Sequence, residues 1–435
     1  MKLRMMAYTT VMTLFSMMAG PARLAAQSNA LQGFSYKVLY TFTGGTDGAI
    51  PFTIDLIRDE QGNLYGTTWV GGDLSECPEH GGSGNGCGVV FKVDPQGNYT
   101  VLYPFTGTPD GAVPEAGLLR DAGGNLYGTT SEGGSLGDGT VFTLDSTGNE
   151  RVMYSFTGGP DGENPDGALL IDANGNLYGV ALGGSAGNGV VFKLDRLGTL
   201  TPIHTFQNGT DGRGPYGDLI WDPAGHLYGT TTQGGLYGGG TVYELSPQQN
   251  GTWDETILYN FTGGADGNYP VAGVIRDDDG NLYGTTQSGG TSGNGVVFKV
   301  DMHGNESVLY SFTGGTDGGF PQADLVRDQH GNLYGTTLFG GVPGGCGGGP
   351  GYCGVVFKLD TAGRETVLYA FTGQADGQGP NGLLRDQNGN LYGTTENGGD
   401  LGSQQGWCFG AGCGVVFKIS ACHTAICHGE DERVE

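Results

Sequence analysis

The seven letters "GNLYGTT" stand at residues 62–68 and return at 124, 280, 331 and 389, with close copies at 175 ("GNLYGVA") and 225 ("GHLYGTT"). Their tyrosines, Tyr65, Tyr127, Tyr178, Tyr228, Tyr283, Tyr334 and Tyr392, lie 62, 51, 50, 55, 51 and 58 residues apart. A period near 50 means one supersecondary unit written seven times. Residues 321–376 show the whole unit. "ADLVRD", "NLYGTT", "GVVFKLD" and "ETVLYAFTG" read as four short strands rich in Val, Leu, Phe, Tyr and Thr. "DQHGN" and "DTAGR" join them as tight Asp-to-Gly turns. No segment holds a helical period.

Four antiparallel strands per fifty residues is the size of one propeller blade. A lone four-stranded sheet exposes both faces and is marginal, and stacking blades buries both. The seven units predict an all-β, seven-bladed propeller of 28 strands. The repeat region opens on "YKVLYTFT" (36–43), a fourth strand with nothing before it. It closes on "GVVFKIS" (414–420), a third strand with nothing after it. The offset predicts a ring in which the two ends share the last blade, hiding edges that would otherwise aggregate. In the repeated phrase, Asn and Gly are expected to make the turn. The second Gly is expected to let a neighbouring sheet approach.

Gly supplies 90 of 435 residues without a Gly-X-Y period, and hydrophobic residues still reach 37%, which excludes collagen and plain disorder. Residues 1–26 have the form of a secretory signal: Lys2 and Arg4, an apolar run, then a small-residue site ending at Ala26. The expected organisation is signal 1–26, linker 27–35, propeller 36–420 and a Cys-containing acidic tail 421–435. The address is secreted or periplasmic, with no membrane span in the mature chain. Net charge is −26, and loss of Lys2, Arg4 and Arg23 makes it −29. Such a surface repels nucleic acid. A monomer that binds a protein or a glycan is expected. The eight cysteines pair as Cys77/Cys87, Cys346/Cys353, Cys408/Cys413 and Cys422/Cys427.

The stretch "NLYGTT…GG…GVVFKLD…TVLYSFTGGTDG" resembles the GloVer tandem repeat of secreted bacterial proteins, over residues 36–420. The resemblance implies an exported repeat protein. Members typically end in a cell-surface anchor, whereas "ACHTAICHGEDERVE" has neither an apolar span nor a basic stop. The resemblance carries no reaction and no catalytic residues.

Three features bear on function. Asp47, Asp110, Asp161, Asp211, Asp266, Asp317 and Asp376 each stand four residues before a Pro in the loop between blades. They suit either calcium, which wants six to eight oxygens, or local Asp-Gly turns, and the turn is the simpler account. At the start of the first strand most units carry Gly or Ala, but three carry Asp55, Asp218 and Asp324, which are expected to ring the channel mouth and there hold a cation or polar ligand. Units 6, 7 and 1 have enlarged Cys-bearing loops presenting Trp69, His80, Phe339, Tyr352, Trp407 and Phe409. These form either a recognition lobe or aromatics packed beneath their own loops. No catalytic motif stands out: "GGSLG" and "GGSAG" are loop accidents, and His204 and His226 lack an obvious triad. Two functions remain, a non-catalytic binding or scaffold propeller using its loop face, and a secreted lyase or hydrolase acting on polysaccharide or a small metabolite.

Overall fold

The computed structural model describes residues 33–52, 55–75, 77, 85–207, 209–342, 353–400, 402, 408 and 411–421. Seven antiparallel sheets stand in a ring, one per repeat, with no α-helix among the described residues. We number the blades 1 to 7 by their first strand. Blade 6 is typical: Val326–Arg327, Leu333–Thr337, Val355–Leu359 and Glu365–Ala370.

The ring closes as the chain ends require. Phe34–Thr41 pairs antiparallel with Val415–Ala421, from Phe34 opposite Ala421 to Thr41 opposite Val415. It thereby completes the sheet of Gln378–Arg385 and Leu391–Asn397. The described strands number 29 rather than 28. The extra one is Glu163–Pro165 of blade 3, which pairs with the same second strand as Leu170–Ile171. Other blades have the same contact as an isolated bridge, for example Ala112 to Glu132 and Asn268 to Ser288. One additional ladder pair therefore separates the expected count from the observed one.

The hydrophobic core lies between blades. At each boundary a Phe closing one fourth strand meets the aromatic of the next third strand edge-on, as in Phe156–Phe192 at 5.4 Å and Phe261–Phe298 at 5.0 Å. All these Phe residues are fully buried.

The last six letters of the repeated phrase each have a task. In blade 1 Asp59 accepts hydrogen bonds from the Asn63 N–H (2.8 Å), Asn63 Nδ2 (2.7 Å) and the Tyr65 hydroxyl (2.9 Å), which fixes the turn. Leu64 is core. Thr67 Oγ1 donates to the Pro114 carbonyl of blade 2, and Thr68 Oγ1 to the Val70 carbonyl of its own loop. The second Gly does not serve a neighbouring sheet. Gly335 stands opposite Phe357 in its own sheet, and a Cβ there would lie 2.7 Å from the Phe357 ring. The absent side chain lets the cross-strand aromatic fold over the backbone.

The inter-blade aspartates take the local role. Asp47 accepts from the Thr43 N–H, Thr43 Oγ1, the Gly45 N–H and the Tyr40 hydroxyl. Behind this turn the blades differ in a way that pH should expose. Tyr99 and Tyr36, at one register of the fourth strand, donate to the backbone carbonyls of Asp47 and Asp376. Glu150, Glu306 and Glu365 occupy the same register, and the Oε1 of each is buried without a partner. Burial first, then Asp110, Asp266 and Asp317 respectively, push these carboxyls up to about 7. The folded chain therefore keeps protons that the unfolded chain releases near 4.5. Stability is expected to fall as pH rises from 5 to 8, with solvent trimming the effect at these half-buried sites. Urea midpoints across that range should show the slope, and the triple Glu→Gln chain should make it shallower, the remainder coming from other buried carboxyls such as Asp324.

Candidate functional site

A pocket on the ring axis is lined by every blade. Its geometry starts with the Pro that follows each inter-blade aspartate. The residue before that Pro is left-handed: Ile50, Val113, Asn164, Tyr269 and Phe320 have φ between 46° and 66°, and Gly214 has 65°. For β-branched Ile50 and Val113 this is real strain. It persists because both backbone groups are held across a blade boundary. The Ile50 N–H donates to Cys413 O of blade 7, and Ile50 O accepts from Trp69 N–H of blade 1. Val113 repeats the arrangement with Cys87 O and Ser131 N–H.

The strained turn delivers the residue after the Pro to the channel mouth. Those residues are Phe52, Glu115, Asp166, Tyr216, Val271, Gln322 and Asn381, all lining the pocket, with Glu396 beside them. The Pro repeats seven times, yet its successor never does. Sequence reasoning missed this ring. The available signal was the opposite of a motif, namely one variable column beside an invariant one.

Further along the same segments stands the acid triad. Asp218 follows Tyr216 by two residues and Asp324 follows Gln322 by two, each pair spanning a bend just ahead of the first strand of its blade. One carboxylate oxygen each from Asp55, Asp218 and Asp324 lies within 4.8 Å of the others. The Ala168 N–H donates to Asp218 Oδ1 and the Gly273 N–H to Asp324 Oδ1, both at 2.7 Å. Asp55 Oδ1 is buried with no partner. Burial raises all three carboxyls, Asp324 to about 8 with help from Asp218, and Asp55 well above its usual range with help from Asp324 and Asp218. Three like charges this close hold protons or a cation. An all-oxygen, carboxylate-rich donor set suits a hard divalent ion such as calcium, with water completing the shell.

The proposed aromatic lobe is placed only in part. Trp69 is half-buried against the clusters of blades 1 and 2, and half-buried Phe339 packs on Phe320 at 4.9 Å. His80, Tyr352, Trp407 and Phe409 lie outside the described residues. Cys77–Cys87 and Cys408–Cys413 are disulfides with all four residues buried. Cys353 is also disulfide-bonded. Its expected partner Cys346 lies outside the described residues, as do Cys422, Cys427 and the signal segment. Among the described residues, no helix is long and apolar enough to cross a membrane.

The model of the Gloeobacter/Verrucomicrobia repeat matches residues 27–219, 76–275 and 219–426. The chain belongs to the Gloeobacter/Verrucomicrobia repeat family. Among curated proteins, none matches this family member. Solved structures similar to it include a gluconolactonase from Xanthomonas campestris (TM-score 0.42, 13% identity, 90% of this chain and 91% of that one). A luciferin-regenerating enzyme is similar at TM-score 0.39 and 14% identity, over 90% and 96% of the two chains.

Proposed function

We propose that this repeat protein is exported and non-catalytic, and binds a saccharide at the loop-face mouth of its channel. The carrying observation is the ring of seven unlike residues behind seven identical prolines: a scaffold position would repeat, whereas an asymmetric ligand needs an asymmetric ring. Carboxylates (Glu115, Asp166), amides (Gln322, Asn381) and aromatics (Tyr216, Phe52) suit sugar hydroxyls and the apolar face of a sugar ring. Asp55, Asp218 and Asp324 hold calcium below. The signal-like N-terminus and the buried disulfides support an oxidising compartment.

A glycan array probed with the chain from residue 27 onward tests the proposal, with calorimetry on any hit. Tyr216→Ala and Gln322→Ala should each weaken binding about tenfold or more with the melting temperature unchanged. An array without saturable binding, or variants that bind as tightly as the parent, would overturn it. A polysaccharide lyase or hydrolase is the second reading. It is favoured by a carboxyl, Asp324, that would donate a proton near neutral pH. Turnover of an array hit would select it.

A further inference from the structure

We propose that His204, Asp211 and Glu255 form a zinc-class metal site at the boundary of blades 3 and 4, independent of the channel. The six other boundaries close this place with one hydrogen bond. Tyr40, Tyr103, Tyr154, Tyr259, Tyr310 and Tyr369 each donate a hydroxyl to the aspartate seven residues on, at 2.7–3.0 Å. Only blade 3 carries His at this position, followed by Asp211. The next blade departs from the repeat at the same boundary: Tyr243 replaces the Phe found at 91, 142, 192, 298, 357 and 417. That the His and the Tyr both depart from the repeat at this one boundary marks a local task.

The geometry gives that task its chemistry. One ligand atom each from His204, Asp211 and Glu255 lies within 4.8 Å of the others. His204 Nε2 and Glu255 Oε1 are buried, have no hydrogen-bond partner and face one another at 3.5 Å. That is outside the usual hydrogen-bond range of about 2.7–3.2 Å. It is close to the roughly 3.3 Å that separates two ligands of a tetrahedral ion bound at about 2.0–2.1 Å. Unpartnered glutamates recur at this register, but a buried imidazole nitrogen without a partner is found at this boundary alone among the described residues. Asp211 is already oriented: its carboxylate accepts the Gln207 N–H at 2.7 Å and the Gly209 N–H at 3.0 Å, as outer-shell partners orient a ligand. The His204 ring is held edge-on to Phe206 at 4.6 Å. Tyr243 is fully buried with an unpartnered hydroxyl that feels the Glu255 charge. One nitrogen and two carboxylates favour Zn2+ over calcium, and the small remaining exposure of His204 and Glu255 leaves an entry path.

The test uses the full exported chain carrying His423→Ala and His428→Ala, so that the tail cannot compete. After chelation, Co2+ is titrated and its visible d–d absorption followed. One equivalent should produce an intense low-symmetry spectrum that Zn2+ abolishes. His204→Tyr rebuilds the Tyr–Asp hydrogen bond of the other six boundaries, so it should keep the melting temperature. It should weaken Co2+ binding by more than the roughly 10–100-fold that loss of an outer-shell partner costs. No Co2+ spectrum in the parent would overturn the site, leaving a neutral His–Glu contact. So would a His204→Tyr chain that binds Co2+ as tightly as the parent.

Discussion

A chain shortened to begin at Phe42 is expected to lose its cooperative unfolding transition, and moving the missing strand to the other end is expected to restore it. Phe34–Thr41 is the fourth strand of blade 7, so its loss leaves Val415–Ala421 as a bare edge. It also uncovers packed aromatics. The Tyr36 ring stacks on Tyr369 at 4.0 Å and lies 5.6 Å from Phe417, and its hydroxyl ties to the Asp376 carbonyl. Tyr36→Ala alone should cost about 3–5 kcal/mol, as truncation of a packed aromatic does. Because Phe34 faces Ala421, the relocated segment 34–41 can follow Ala421 through a turn copied from residues 145–149, which join the paired residues Leu144 and Glu150. Blade 7 then has the connectivity of the other six. Urea denaturation followed by near-ultraviolet circular dichroism compares the three chains. A truncated chain that melts like the parent, or a permuted chain that does not fold, would show that the ends do not close the ring.

Closure was legible because a ring joined within a blade leaves a mark at both ends: "YKVLYTFT" lacks a predecessor and "GVVFKIS" a successor. The turn chemistry was legible for a similar reason, since Asp59, Asn63 and Tyr65 lie within seven residues and their contacts are local. Longer-range partners were harder. Gly335 and Phe357 stand opposite one another across an enlarged loop, and their register follows from the hairpin rather than from spacing, so the sequence alone points the Gly to the wrong neighbour. His204 and Glu255 sit in different repeats and meet only when blades stack. Trp69 and Phe339 could be placed on loops, but sequence does not say which way a loop aromatic turns, and both turn partly inward. The channel-mouth ring escaped because seven unlike residues make no motif. It becomes visible once the strained residue and the Pro before each of them are seen to repeat.

The calcium site proposed at the acid triad yields the second large effect, because an ion bound there would compete with protons for the same three carboxylates. Replacing Asp55, Asp218 and Asp324 together by the small residues of the other blades (Asp55→Gly, Asp218→Ala, Asp324→Gly) should raise the melting temperature in chelator by several degrees. It removes buried like charges at positions where Gly117, Ala168 and Gly273 already show that a small residue is accommodated. The same variant should lose its response to calcium. An ion at about 100 times its dissociation constant stabilises the parent by roughly 2.7 kcal/mol, and that increment should vanish. The single variants separate the roles. Asp218 and Asp324 each have one oxygen bound by a backbone N–H, whereas Asp55 Oδ1 has none, so Asp55→Asn should cost the most calcium affinity while disturbing the strands least. Thermal melts in chelator and in calcium, run on the parent, the triple variant and Asp55→Asn, decide the matter. A parent indifferent to calcium would leave the triad as a proton-sharing cluster. The triple variant would then still be the more stable chain, since the cost of burying three crowded carboxyls does not depend on any ion.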